Sequence, residues 1–286
     1  MYHGHNSDWN AHRDICSKQR SLQVLGFEFT RSPDRADMTV QHRLTPERHL
    51  KHHYIKRPYE QNNDHRRGKR MEKCRSDIIP VVARIMADSF KGDPLNRAVF
   101  RGVRKSDRLL YAHARIHISY ALNNGYLRLL NGSPEAFLIG MDSKNRHPLG
   151  DLLLNARVVQ KTFTTLGIGD LRRILSNYKK ISKVVNSVWH REFTSGRYYR
   201  LKIIAIDKNM RGTGAFRRLL TPVLEYCDTE SIPMVLETHN ERNVGLYIHF
   251  GFELVKTLTA RNTEVTQYCM IRKPDAGTRS NAEYAQ

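Results

Sequence analysis

Cysteine is scarce in this chain. Four of the 286 residues are Cys, at 16, 74, 227 and 269, and no two form a Cys-x-x-Cys pair. That argues against a disulfide scaffold and a thiolate zinc site, and it suits a reducing compartment. No apolar run approaches the ~20 residues that a membrane-spanning helix needs. The opening stretch from Met1 to Asp14 lacks the apolar core of a secretory leader. A cytoplasmic protein with no membrane partner is therefore expected. Glycine and proline, 17 and 10 residues, sit at ordinary levels, which argues against collagen-like and low-complexity classes. Acidic residues are also few, 28 Asp and Glu against 48 Lys and Arg, for a net charge of +20. Such a surface attracts anions, and nucleic acid or a phosphorylated cofactor are the natural candidates. The excess is spread along the chain, +6 over residues 1–70 and +14 over the remainder.

Two unlike parts follow one another. Residues 1–70 hold eight of the fourteen histidines and little apolar periodicity beyond Leu22, Val24, Leu25, Phe27 and Phe29. A stretch of this composition cannot bury enough surface to offset chain entropy, so a basic, His-rich, disordered tail is expected there. The pair His52-His53 has no carboxylate or Cys at ligand spacing, so no metal is expected. The run Arg66-Arg67-Gly68-Lys69-Arg70 is a weak signal for RNA.

From Met71 the patterning changes, and a folded domain over 71–274 with a short C-terminal tail, 275–286, is expected. Ser76-Asp77 can cap a helix in which Ile78, Ile79, Val82, Ile85, Met86 and Phe90 recur at helical spacing, with Asp93-Pro94 ending it. A second helix is expected over about 104–123. A hairpin of strands 126–130 and 136–141 follows, turning at residues 131–134. Next comes a helical insert, broken at Gly167 and Gly169, with Asp170 as the cap of its second helix. The stripe Leu171, Ile174, Leu175, Tyr178, Ile181, Val184, Val185 and Val188 reads as packing surface.

Residues 199–272 are the informative stretch. Tyr199–Ile206 reads as a strand, and Asp207–Gly214 as a loop containing Arg211-Gly212-Thr213-Gly214. Phe216, Leu219, Leu220, Val223, Leu224 and Cys227 then mark an amphipathic helix, with Pro222 inside it. Glycines at a strand-to-helix junction let the backbone approach a ligand, and free N–H groups at the helix start attract phosphate oxygens. Arg217 stands where a dinucleotide fingerprint would place its third glycine, and no Gly-Lys-Ser/Thr is present, so Rossmann and Walker sites are disfavoured. A second strand over 232–238, a short helix over 242–250 and a last strand over about 265–271 complete the pattern.

The segment Asn209-Met210-Arg211-Gly212-Thr213-Gly214, followed by Leu236 to Asn243 and Leu246-Tyr247 through Gly251-Phe252, resembles the GNAT superfamily of acetyl-CoA-dependent N-acetyltransferases. The resemblance extends over about 71–274. Within the superfamily it is similar to the branch containing puromycin N-acetyltransferase, which shares the helical insert, the Leu236-Glu237-Thr238 strand end, Arg242-Asn243 and the helix proline. Asn209 departs from the usual Gln or Arg. The resemblance implies an α+β fold, a splayed mixed sheet flanked by helices, with the insert before the motif strand. It also implies acetyl-CoA as co-substrate and no metal.

Carried onto this chain, the resemblance implies that the pantetheine arm pairs beside Ile204, Ala205 and Ile206 like an added strand. The pyrophosphate would meet the N–H groups of Arg211, Gly212, Thr213, Gly214 and Ala215, and Asn240 and Asn243 become cofactor contacts. Tyr247 becomes the general acid for the departing thiolate, since a phenol is protonated at neutral pH. Glu237 or His239 would take the amine's proton; the residues alone leave that choice open. Asp88 and Asp93 lie near the acceptor's expected edge. The implied reaction is acetyl transfer to a primary amine of a small molecule by direct attack. Two other readings stand beside it: acetylation of a protein Lys or N-terminus, and an inactive, basic RNA-binding module on the same fold. For the last, Arg197-Tyr198-Tyr199-Arg200 is the sole aromatic–basic cluster.

Overall fold

The protein, a computed structural model, is described over residues 65–275, with side chains from Asp77 onward. The readings for residues 1–64, His52-His53 included, and for 276–286 lie outside the described residues. By its contacts the chain divides into two units. Of Thr30–Asp77 only the helical backbone over 65–77 is described; the unit from Ile78 onward is described by itself.

The elements run α1 (His65–Phe90), α2 (Pro94–Val99), α3 (Ser106–Asn123), β1 (Leu127–Leu130), β2 (Ser133–Asp142), α4 (Pro148–Thr165) and α5 (Ile168–Ile181). They continue with β3 (Tyr199–Ile206), α6 (Ala215–Thr229), β4 (Met234–Thr238), α7 (Arg242–His249), β5 (Glu253–Leu258) and β6 (Gln267–Arg272). Two local expectations fail for identifiable reasons, and a third is incomplete. Ser76-Asp77 does not begin a helix; both residues, and Met71, lie within α1. The preceding Arg, Lys, Met and Glu residues are good helix formers and carry the helix back past them. α1 ends at Phe90, just before Asp93-Pro94 as expected, but Asp93 also starts the next helix. Its Oδ1 accepts from the N–H groups of Leu95 (3.0 Å) and Asn96 (3.3 Å), and Pro94 fills the first helical position. Asp170 does not cap α5; Gly167 holds the cap position and Asp170 lies in the first turn, favoured there by the helix dipole.

The six strands form one mixed, mostly antiparallel sheet in the order β1-β2-β3-β4-β6-β5, flanked by helices. The β1–β2 hairpin turns through Asn131-Gly132, with Leu130 opposite Ser133. On one face, Leu201, Ile204, Ile206, Met234 and Leu236 pack against Leu219, Leu220, Val223 and Leu224 of α6 and Tyr247 of α7. On the other, Phe137, Ile139, Ile203 and Ala205 pack against Val82, Ala83 and Ala87 of α1 and Ala114, Ile118 and Ala121 of α3. Each large apolar side chain so buried contributes about 1.5–3 kcal/mol. That burial sustains α6 through Pro222, which has no N–H for the Arg218 carbonyl. The C-terminal end of α6 is tied down twice, by Tyr226 donating to Asp142 (2.7 Å) and by Arg272 forking onto Asp228 (2.6 and 2.8 Å).

One feature of the sheet positions the candidate site. The parallel strands β3 and β4 pair at only two positions, Tyr199↔Met234 and Arg200↔Val235. Beyond them β3 stays with β2 as far as Ile206↔Ala136, and β4 stays with β6 as far as Thr238↔Tyr268. The sheet therefore opens at its centre toward the C-terminal ends of both strands.

Candidate active site

The opening exposes one edge of β3. Asp207 donates its N–H to the Glu135 carbonyl (2.7 Å), flanking the pair Ile206↔Ala136. In an antiparallel ladder this makes 206/136 a non-hydrogen-bonded pair, so Ile206 aims its N–H and C=O away from β2. Ile204, two residues back, does the same. Ala205 instead turns its backbone groups toward Phe137. Of the three expected strand residues, two offer main-chain groups to the opening, and Ala205 does not.

At the end of β3 the chain enters the glycine loop. Gly212 and Gly214 both have positive φ, 78° and 77°, and nothing lies within 4 Å of a Cβ built on either. Backbone conformation, not crowding, demands glycine at both positions. The Arg211 N–H is given to the Lys208 carbonyl and that of Thr213 to the Met210 carbonyl, each at 3.4 Å. These two expected phosphate donors are thus already engaged within the turn. Among the described residues nothing accepts from the N–H groups of Gly212, Gly214, Ala215 or Phe216. Four such donors around a helix N-terminus form an anion-binding arrangement.

A cleft of about 360 Å³ lies beside them, lined by Ile206, Arg211, Gly212, Gly214 and Ala215, by Leu246 and His249 of α7, and by Phe250 just after it. Arg217 joins its wall, 2.9 Å from His249 Nε2 and stacked over Phe250 at 5.2 Å. Asn240 and Asn243 serve to place α7. Asn240 Oδ1 accepts from the Arg242 N–H (3.2 Å), and Asn243 Nδ2 donates to Thr238 Oγ1 (3.2 Å). One turn after Asn243, Tyr247 sits buried with its ring against Phe216 and Phe252, centroids 6.0 and 5.6 Å away. Burial pushes its phenol well above the ordinary tyrosine range, so the hydroxyl keeps its proton.

Glu237 and His239 project from the opposite face of β4. Glu237 is held by Arg200 Nη2 at 2.6 Å and Trp189 Nε1 at 3.1 Å. Burial raises its carboxyl, but the Arg200 guanidinium and these two hydrogen bonds outweigh that, leaving it below the usual value. His239 differs. Its Nε2 is buried with no hydrogen-bond partner. Burial drives the imidazole below 6.5, with Asp93 and Glu237 pulling back only in part. A neutral imidazole with an unengaged nitrogen can accept a proton; a carboxylate already taken by Arg200 is poorly placed to do so.

Several residues here escaped the sequence reading. Trp189 and Arg200 position Glu237, and Phe216, Arg217, His249 and Phe250 build the cleft. Lys202 is also present on this strand, and one signal for it was available: it interrupts the otherwise apolar run from Leu201 to Ile206. Asp88 and Asp93 separate, since Asp93 interacts with His239 through its charge while no such link joins Asp88.

No family model matches the chain. Over 85 residues it is 35% identical to an uncharacterized N-acetyltransferase of Schizosaccharomyces pombe, a stretch covering 29% of this chain and 34% of that protein. The match thus spans about a third of the relative's length. Among solved structures, it is similar to a histone acetyltransferase HPA2 and related acetyltransferase of Corynebacterium glutamicum (14% identity, 69% of this chain and 91% of that one, TM-score 0.45). It is similar also to arylalkylamine N-acetyltransferase 2 of Aedes aegypti (14% identity, 70% and 96%, TM-score 0.44). Among the described residues no helix is long and apolar enough to cross a membrane.

Proposed function

We propose that the chain is an acetyl-CoA-dependent N-acetyltransferase that acts on a primary amine of a small molecule by direct attack. The observation that carries this reading is the opening between β3 and β4 beside four unspent amide donors. The partial identity with a named N-acetyltransferase supports it. The residues fit the cofactor: the exposed edge at Ile204 and Ile206 suits a pantetheine arm, and Gly212, Gly214, Ala215 and Phe216 suit a diphosphate. Arg211 and Arg217 add positive charge at the mouth of the cleft. When bound, acetyl-CoA supplies the acetyl group as a thioester.

The chain's own residues hold and move protons around that thioester. A strand N–H at Ile204 or Ile206 polarises the carbonyl oxygen; losing such a donor costs ~10²–10³ in rate. The amine nitrogen bonds to the acetyl carbon as the carbon–sulfur bond breaks and its electron pair leaves with sulfur. His239 Nε2 takes the proton that the amine sheds, and the Tyr247 hydroxyl gives its proton to the sulfur. Glu237, held by Arg200 and Trp189, does not act as the base. Resemblance to the puromycin N-acetyltransferase branch makes aminonucleosides reasonable first acceptors. The test is calorimetry with acetyl-CoA, followed by thiol release across a panel of amines. Absence of both binding and release refutes the reading.

A further inference from the structure

The ladder between β2 and β3 slips by one residue. Ile203 lies opposite Ile139 and Leu201 opposite Gly140, so Lys202 is an extra residue, a β-bulge, in β3. Bulges near functional sites re-aim a side chain. Here Leu201 and Ile204 both pack on the α6 face, while Ile203 packs on the α1/α3 face. Both residues between Leu201 and Ile204 are thus sent to the α1/α3 side, and Lys202 shares that side with Glu237, away from the glycine loop.

The groups whose charges act on Lys202 come from several neighbouring elements. They are His117 of α3, Arg146 and Asp151 at the start of α4, Arg200 of β3 and Glu237 of β4. The two carboxylates are already matched. Asp151 takes Arg146 Nε at 3.2 Å and the Tyr120 hydroxyl at 2.9 Å, and Glu237 takes Arg200 and Trp189. Burial holds His117 near 4, so it is neutral. Among the described residues Lys202 donates no hydrogen bond and meets no carboxylate within ion-pair distance. It is nevertheless open to solvent. A central strand thus carries an unmatched, accessible cation at the point where the sheet opens, on the side of the proposed base.

Resting on the acetyl-transfer reading, we propose that the acceptor is an amine that also carries a carboxylate or phosphate, and that Lys202 holds that anionic group. The remaining charge pattern supports this. Crowding by protein atoms and the charge of Arg200 lower the Lys202 ammonium to about 8, so an arriving anion relieves a real cost. The same environment penalises a second cationic group on the acceptor.

The experiment compares matched amines, β-alanine against aminopropanol and phosphoethanolamine against ethanolamine, in the full chain and in Lys202→Gln and Lys202→Arg. The expected result is kcat/KM about 10–100-fold higher for each anionic member. Lys202→Gln brings that ratio near one, chiefly through KM, and Lys202→Arg keeps most of it. In the parent the preference fades as pH rises past 8, where the ammonium is lost. Equal use of both members, or a preference that survives Lys202→Gln, overturns the proposal and leaves acetyl transfer standing. Failure of the chain to bind acetyl-CoA, measured with no amine present, overturns the underlying reading and is separately visible. Melting temperature and acetyl-CoA affinity of both variants show whether they fold as the parent does.

Discussion

Replacing Tyr247 by Phe separates a core role from a catalytic one. The ring contacts to Phe216 and Phe252 survive the change, and among the described residues no hydrogen bond reaches the hydroxyl. Removing the oxygen therefore leaves no buried partner unsatisfied, and stability should move by less than ~0.5 kcal/mol, a shift under ~2 °C in Tm. If the hydroxyl protonates the departing thiolate, its loss costs ~10²–10⁴ in kcat, or about 3–5 kcal/mol in the barrier. The assay is thiol release at saturating acetyl-CoA and amine, with acetyl-CoA affinity measured beside it by calorimetry. Affinity should hold while kcat falls. A variant with unchanged melting and kcat within ~3-fold of the parent refutes the assignment and makes Tyr247 a packing residue.

Three further outcomes test the remaining parts. Gly212→Asp should abolish acetyl-CoA binding in calorimetry, because it sets a carboxylate among the amide donors. Gly212→Ala, whose Cβ meets open space but whose φ is strained, should lose ~1–2 kcal/mol of stability and keep binding. The pH profile of kcat/KM should show an acid limb below 6.5 from His239, which burial lowers; His239→Gln should remove the limb, and an unaltered limb assigns the base elsewhere. Glu237→Gln should cost about 1.5–3 kcal/mol in urea unfolding at neutral pH, the value of a hydrogen bond to a charged group. Because the folded carboxyl of Glu237 lies below its unfolded value, its contribution is present above that value and fades as pH falls. The difference between variant and parent should therefore shrink below pH ~4.5.

The strand, glycine loop and helix from Tyr199 to Thr229 were legible because each announces itself locally. An apolar run, two glycines and a 3.6-residue stripe need no partner to be recognised. The α+β character followed from the family resemblance that these segments carry. Helix starts were less legible. Asp93-Pro94 follows the end of α1 and also opens α2, and only the two N–H groups bonded to Asp93 reveal the second role. The site divided in the same way. Gly212, Gly214 and Tyr247 are marked by motif. The engagement of the Arg211 and Thr213 amides by their own turn depends on dihedral angles that the residue types do not reveal. The capture of Glu237 by Trp189 and Arg200, 48 and 37 residues away, is likewise invisible along the chain.

The opening between β3 and β4 explains why the two faces of the sheet differ chemically. A central strand satisfies its backbone groups on both edges, and each buried group left over costs about 1–3 kcal/mol. Here β2 and β6 hold the outer edges while the inner edges part after Arg200 and Val235. The unpaired groups at Ile204 and Ile206 therefore need water or a ligand that itself resembles a strand. Such a ligand is polar but locally uncharged, which suits the apolar side chains that α6 and α7 pack against this face. The bulge at Lys202 falls two residues after the last β3–β4 pair, so the same irregularity that spares Lys202 from the ladder also sends its charge to the other face. A continuous β3–β4 pairing would close the edge at Ile204 and Ile206. On this geometry the amide edge and the lone cation arise together, on opposite faces of the sheet at the point where it opens.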